Sequence, residues 1–340
     1  MAAVRDATHS QSAADSTAMA GPLFGRRLLI IAGKGGVGRT TVACALGALA
    51  ARQGKRVLIA QTRSKNRLRE LFGVERDFSE VAQVRENLWA VNMTPEASLR
   101  EYGMMVMHSA FLYRQVFERD VVRAFLRAVP GLYDYAMLGK TWFHTTEQQG
   151  GRPRFDLVIL DGPATGHILT LLRLPKIILD TIPEGPMTGP ARDSWSLLTD
   201  PKRCLTVLTT LAEDLPVTET IQLAQGLREL TLPCGPVVVN RLYPPRLHSG
   251  LPKLAFDELL RSDSAQSDET LGPVLRAARL HRQRAQLNEH HVARLHKALP
   301  LPQLHLPYLF RDSFDQTAID ELGDRLEGQV AALDLSQRAK

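Results

Sequence analysis

The chain has 340 residues, is 44% hydrophobic and 23% charged, and carries a formal net charge of +6. That is enough length and apolar content for one large α/β domain or two ordinary ones, and its mild basicity permits phosphate-bearing ligands, nucleic acid or an anionic membrane surface without demanding any of them. Cys44, Cys204 and Cys234 lie far apart and form no C-x-x-C pair, which excludes a disulfide framework or a zinc spacing, and no stretch approaches the ~18–20 consecutive apolar residues of a membrane span.

Residues 1–25, rich in Ala, Ser, Thr and Asp, lack the apolar centre of a secretory signal and read as a disordered tail. Residues 26–335 are expected to form one domain, with a C-terminal tail at 336–340; a cytoplasmic location is expected. RLLIIA at 27–32 is a short apolar run entering a Gly-rich turn, as a buried parallel strand would. Residues 40–53 are helical in composition and stop at Gly54, and RVLIA at 56–60 is a second buried strand. Strand, Gly-rich loop, helix and strand make a βαβ unit, so the fold class is α/β with a doubly wound, mostly parallel sheet. LWAVNM at 88–93 is a third strand. The helical pattern from about 95 to 150 is too long for one crossover and is a helical insertion. Further strands are FDLVIL at 155–160, ending in Asp161, CLTVLT at 204–209, PVVVN at 236–240 and a short one at 301–306. Helices are expected over 216–230, 273–299 and 314–333, and no fixed-period repeat divides the chain.

The loop after the first strand reads Gly33-Lys34-Gly35-Gly36-Val37-Gly38-Arg39-Thr40-Thr41. It meets the phosphate-loop pattern G-x-x-x-x-G-K-[ST] except that Arg39 fills the lysine position. Glycines let several N–H groups approach one anion, and the dipole of the following helix favours negative charge. Arg39 keeps the charge in a planar, forked form that can still bind phosphate bidentately. Thr40 sits where a Mg²⁺-ligating hydroxyl belongs, and Thr41 can reach a phosphate nearer the sugar. Asp161, a carboxylate just past an apolar strand, falls at the carboxyl edge of the sheet, where ligands bind; it could equally be a helix cap.

GKGGVGRTT resembles the deviant P-loop of the ArsA-type anion-transporting ATPases, a family that includes the tail-anchored-protein targeting ATPases and, more distantly, MinD, ParA and nitrogenase iron protein. FDLVILDGPATGHILTLLRLP is similar to the family's switch II stretch, TLAEDLPVTET to its P-E-x-x-P-V-x-E-T segment, and PVVVNR and LPYLF to its adenine-side strand and loop. PGLYDYAMLGKTW resembles an element of the helical insertion in bacterial members. The resemblance implies a P-loop NTPase that binds ATP or ADP with Mg²⁺. It implies that Lys34 reaches across a dimer to the partner's nucleotide, that Thr40 ligates Mg²⁺ and Thr41 binds the α-phosphate. It further implies that Asp161 holds Mg²⁺ through water, that Gly166 and His167 belong to the moving switch, and that Asn240, with Pro307 nearby, faces adenine.

Two departures stand out. Arg63 occupies the position of the family's switch I aspartate, the residue thought to position the attacking water. A guanidinium cannot act as a base near neutral pH, and losing a water-positioning group typically costs on the order of 10²–10⁴ in rate. In switch II, Gly162 replaces a hydroxyl residue and the proline has moved one place, to Pro163. The expectation is therefore a nucleotide-gated dimer that binds Mg-ATP in a shell led by Lys34, Arg39 and Asp161 and hydrolyses it slowly to control a client. That client would be a hydrophobic segment or a membrane protein. One alternative is a non-hydrolysing regulatory subunit paired with an active homologue; another is a positioning ATPase like MinD or ParA. The basic stretch 273–299, with Arg276, Arg279, Arg282, Arg284, Arg294 and Lys297 against Glu289, has no aromatic residues interleaved, so a nucleic-acid partner is not expected. The Met- and aromatic-rich residues 103–113 suit either an adaptable apolar surface or a buried helix face. The cysteine cluster of the arsenite pumps and the zinc-binding C-x-x-C of some targeting ATPases are not recognisable.

Overall fold

The computed structural model describes residues 22–62, 67–75, 78–107, 132–181, 183–184, 188–244, 258, 261–262 and 268–338. Ten strands are present among them: β1 Leu28–Gly33, β2 Val57–Thr62, β3 Ala82–Arg85, β4 Leu88–Met93, β5 Gln148–Gln149, β6 Arg152–Pro153, β7 Leu157–Asp161, β8 Cys204–Leu211, β9 Cys234–Leu242 and β10 Gln303–Pro307. The helices are α1 Arg39–Arg52, α2 Arg67–Phe72, α3 Pro95–Met107, α4 Leu132–Thr146, α5 Thr165–Thr181, α6 Thr188–Thr199, α7 Asp214–Glu229, α8 Leu271–Ala298 and α9 Gln316–Arg338.

Eight strands form one sheet in the order β10-β9-β8-β1-β7-β2-β4-β3. Every neighbouring pair is parallel except β3–β4. The chain leaves β1 for β2 on one side, returns to β7 in the gap, then proceeds outward through β8, β9 and β10. β1 is thus the point where the winding reverses, and its carboxyl end lies in the crevice where such sheets bind ligands. Successive residues of β1 point to opposite faces. Leu28, Ile30 and Ala32 join a core with α4 to α8, and Leu29 and Ile31 join a second core with α1, α2 and α9. Helices on both faces leave β1, β2, β7 and β8 almost wholly buried.

The expected α/β class and its sheet are present. The boundaries moved in informative places. Leu23 and Phe24, inside the expected 1–25 tail, are buried, and the Leu23 N–H donates to Asp334 Oδ1 at 2.8 Å. α9 likewise carries the fold into the expected C-terminal tail, as far as Arg338. β2 runs two residues beyond the expected apolar segment, to include Gln61 and Thr62. β3 was not expected, because its four residues, AQVR, lie at the sheet edge and need no apolar face. The insertion contributes α3 and α4 and ends in the short β5–β6 ribbon; residues 108–131, which include part of the Met-rich stretch, lie outside the described residues. Edge strand β10 is capped by Gln329 of α9, whose Oε1 accepts the His305 N–H at 2.7 Å and whose Nε2 donates to the His305 carbonyl at 2.9 Å. That side chain satisfies the exposed edge and ties β10 to α9. No helix among the described residues is long and apolar enough to cross a membrane.

Candidate functional site

The site begins where β1 ends. Gly33 runs against β8 so closely that a Cβ there would stand 2.2 Å from the Thr209 carbonyl oxygen. Gly38 takes φ 93°, and its missing Cβ would lie 2.3 Å from Asn240 Nδ2. Both positions exclude side chains, so the loop is pressed onto its neighbours and then turned into α1. α1 starts without a side-chain cap or an acidic residue in its first turn. Its first internal hydrogen bond runs from the Val42 N–H to the Gly38 carbonyl at 2.9 Å. The N–H groups of Arg39, Thr40 and Thr41 therefore have no carbonyl partner within the helix, and the positive end of the helix dipole is left open.

Asp161 closes β7 between β1 and β2 and is 4% exposed. Its Oδ2 accepts hydrogen bonds from Thr40 Oγ1 at 2.6 Å and from Gln61 Nε2 at 2.9 Å, and its backbone carbonyl accepts one from Thr62 Oγ1 at 3.1 Å. Burial pushes the Asp161 carboxyl above the ordinary carboxylate range, opposed by the Thr40 and Gln61 hydrogen bonds and by the nearby Arg39 charge. Arg39 Nη1 donates back across the loop to the Gly33 carbonyl at 2.8 Å. Burial lowers its pKa, Asp161 raises it, and it remains a cation. Arg39, Thr40, Gln61, Thr62 and Asp161, with Gly162, Pro163 and Ala164, line a cavity of about 290 Å³. Gly162 fits for a packing reason: a Cβ there would meet Ile168 Cδ1 at 2.8 Å and the Ile31 carbonyl at 3.3 Å.

A divalent cation with a phosphate ligand needs hard oxygen donors and a compensating positive frame. The cavity offers the Thr40 hydroxyl, the Asp161 carboxylate and the amide of Gln61, whose Oε1 is buried without a hydrogen-bond partner. The donor set fits Mg²⁺.

Lys34 forms an ion pair with Glu219 of α7 in the same chain. Asn240, at 3% exposure, donates from Nδ2 to the Val37 carbonyl at 2.9 Å and accepts the Arg241 N–H at Oδ1, also at 2.9 Å. It braces the loop from beneath. Pro307 lines a second cavity, about 430 Å³, beside Leu242, Tyr243, Asn288 and His305. At its rim Tyr243 stacks on Tyr308 with centroids 5.2 Å apart, and Phe310 stands 4.9 Å from Tyr308. Gly166 and His167 are exposed in the first turn of α5. Arg63 lies outside the described residues.

Residues 26–184 match the anion-transporting ATPase family model, a span that holds the loop, Gln61 and Asp161. The chain resembles that family over this span. It is similar to the ATPase BagA of Mycobacterium tuberculosis, at 28% identity over 90% of this chain and 94% of that protein. It is also similar to the arsenical pump-driving ATPase of Escherichia coli, at 28% identity over 64% of this chain and 39% of that one. The ATPase GET3 of Candida glabrata is 26% identical over 63% of this chain and 71% of its own length.

Gln61, Thr62 and Glu219 were not singled out as site residues in the sequence. A signal existed for the first two. Two polar residues closing an apolar strand beside the loop strand belong at the carboxyl edge, and in the parallel register Gln61 pairs with Asp161. Glu219 sat inside a recognised segment but gave no sign of its partner.

Proposed function

We propose that this protein binds Mg-ATP at the carboxyl end of β1 and hydrolyses it slowly, in a nucleotide-gated dimer that controls a partner. The observation that carries this is the meeting of the open α1 N-terminus with the Thr40–Asp161 pair at 2.6 Å, buried against a cavity that Arg39 borders. The N–H groups from Gly35 to Thr41 hold the phosphates. Arg39 exchanges the Gly33 carbonyl for phosphate oxygens. Thr40 and Asp161 hold Mg²⁺, which when bound neutralises charge on the β- and γ-phosphates. The buried, partly enclosed site strengthens each of these contacts relative to water. Asn240 keeps the loop in shape, and the aromatic rim at Tyr243 and Tyr308 offers the base a stacking surface next to Pro307.

The Lys34–Glu219 pair bears on gating. Its partners are 31% and 26% exposed, and such pairs contribute about 0–1 kcal/mol. Lys34 can therefore leave Glu219 for the partner's nucleotide at little cost. The three cysteines do not support metalloid binding by this chain. All are buried and free; Cys204 and Cys234 open β8 and β9 at the far edge of the sheet, and burial pushes the Cys204 thiol up to about 12. Arg63 in place of an acidic switch residue favours a second reading, a regulatory subunit that binds ATP and borrows hydrolysis from a homologue. Phosphate release by the pure protein tests the choice. The enzyme reading expects slow Mg²⁺-dependent release that Asp161→Ala abolishes and Arg63→Asp accelerates. Tight ATP binding with no release, unchanged in Arg63→Asp, would support the subunit.

A further inference from the structure

Gln61 closes β2 opposite Asp161 in register, and it is 1% exposed. Its Nε2 lies 2.9 Å from Asp161 Oδ2 and 3.3 Å from Thr40 Oγ1, and those two oxygens lie 2.6 Å apart. The three atoms form a closed triangle. Oxygen ligands on adjacent corners of a Mg²⁺ octahedron, with arms of about 2.0–2.1 Å, stand roughly 2.9 Å apart. The triangle is thus compact enough for its three corners to serve one small cation, directly or through water. One corner is an NH₂ group, which cannot ligate a cation.

The same amide carries the missing ligand. Gln61 Oε1 is buried and has no hydrogen-bond partner. An acceptor in that condition is rare in folded proteins and calls for an explanation. The terminal torsion of a glutamine is broad and roughly two-fold, so a half-turn exchanges Oε1 and Nε2 within the same space. In the cation-free protein that half-turn would set an amide oxygen against the Asp161 carboxylate, which repels it. With a divalent cation in place the preference reverses: the ligand bond gained by the oxygen outweighs the hydrogen bonds the NH₂ group gives up to Thr40 and Asp161.

We propose that Gln61 is a third protein ligand of the divalent cation, through Oε1, and that its NH₂ group holds Thr40 and Asp161 together until the cation arrives. The assignment rests on the reading of this cavity as the Mg-nucleotide site and extends it to a residue that the phosphate-loop pattern does not include. It predicts a hard, oxygen-preferring site for Mg²⁺ or Mn²⁺.

Mn²⁺ binding to the purified full chain, followed by electron paramagnetic resonance at saturating ADP, tests it. Gln61→Met keeps the volume and removes both amide atoms; Gln61→Glu keeps an oxygen. Gln61→Met is expected to weaken Mn²⁺ binding about tenfold, with ADP binding in EDTA unchanged. Gln61→Glu is expected to hold Mn²⁺ at least as tightly as the unaltered protein. It should also be the less heat-stable protein without the cation, because two carboxylates then face each other, and should gain more from Mn²⁺ in a melting experiment. If Gln61→Met does not fold, the Gln61→Glu melting comparison carries the test alone, and an equal Mn²⁺ gain in both proteins would overturn the assignment. Unchanged or tighter Mn²⁺ binding in Gln61→Met would also overturn it, leaving the amide as a spacer. Failure of the unaltered protein to bind Mn²⁺ while still binding ADP would sink the cation site itself, a different result from either.

Discussion

The two cavities at the carboxyl edge of the sheet are built on opposite plans. Around Asp161 the polar side chains bond to one another: Thr40, Gln61 and Thr62 all converge on one residue. Around Pro307 the rim is aromatic and half open, with Tyr308 37% and Phe310 54% exposed. A closed polar network holds its members in place and makes each one expensive to lose. An aromatic rim contributes stacking area and tolerates rearrangement. In the proposed function the first end would handle cation and phosphate, where geometry decides rate, and the second would add affinity for the base. Substitutions at the two ends should therefore fail in different ways.

The largest expected effect is at the loop that joins them. Gly38→Ala forces a Cβ into the Asn240 amide at a positive φ, so the loop or Asn240 must shift. The strained backbone alone costs of order 1–3 kcal/mol. The variant should melt several degrees lower and lose nucleotide binding at least tenfold in a fluorescent-nucleotide titration; wild-type behaviour would show that the loop is not pressed against β9. Next comes the aromatic end. Tyr308→Ala should weaken nucleotide binding about tenfold, the size of one lost base–aromatic stack, while the Mg²⁺ dependence of binding stays as it was. A shift in Mg²⁺ dependence instead would merge the two ends into one functional unit.

Asp161 makes a stability prediction of opposite sign to its functional one. Its native pKa is raised, mainly by burial, so between the ordinary carboxylate range and that raised value the native state holds more protons than the unfolded chain. Stability therefore falls as pH rises through that window, and at neutral pH the charged form is a burden. Asp161→Asn should raise the melting temperature at pH 7 relative to the unaltered protein, and the gain should shrink in acid. A lower melting temperature at pH 7 would mean that Arg39 and the hydrogen bonds more than offset burial. The smallest effect belongs to the Lys34–Glu219 pair, proposed to gate the dimer: Glu219→Gln should leave the melting temperature within about a degree, because exposed pairs contribute little, yet shift the monomer–dimer balance with ATP. An unchanged balance in sedimentation would remove Lys34 from the gating role.

The same contrast explains what could be read in the sequence. β1, its loop and α1 are contiguous, and their glycines, apolar run and terminal threonines carry the signal locally. Asp161 was legible because it ends an apolar strand. Gln61 was harder: β2 stops reading as a strand at its first polar residue, and only the register with β7 shows where the amide goes. The aromatic end was legible only in part: LPYLF, which holds Tyr308 and Phe310, resembled an adenine-side loop, but its packing on Tyr243 and α8 gave no sign. Stretch 273–299 has no aromatic residue of its own, but the fold brings Tyr243 within 5.4 Å and Phe310 within 5.8 Å of His281 on α8. Those side chains follow the ends of β9 and β10, so only the packing of sheet edge against helix unites them. Lys34 was readable as a cation in the loop, whereas its partner Glu219 lies 185 residues away.

The proposed function requires that Thr40 and Asp161 form the cation half of a nucleotide site at the end of β1. A magnesium titration of fluorescent-ATP binding, run on the unaltered protein and on Asp161→Ala, tests that pairing without an intermediate assumption. Mg²⁺ should tighten binding in the unaltered protein, while Asp161→Ala should bind the nucleotide in EDTA as well as before and gain nothing from Mg²⁺. Equal tightening by Mg²⁺ in both proteins would contradict the assignment of Asp161 to the cation.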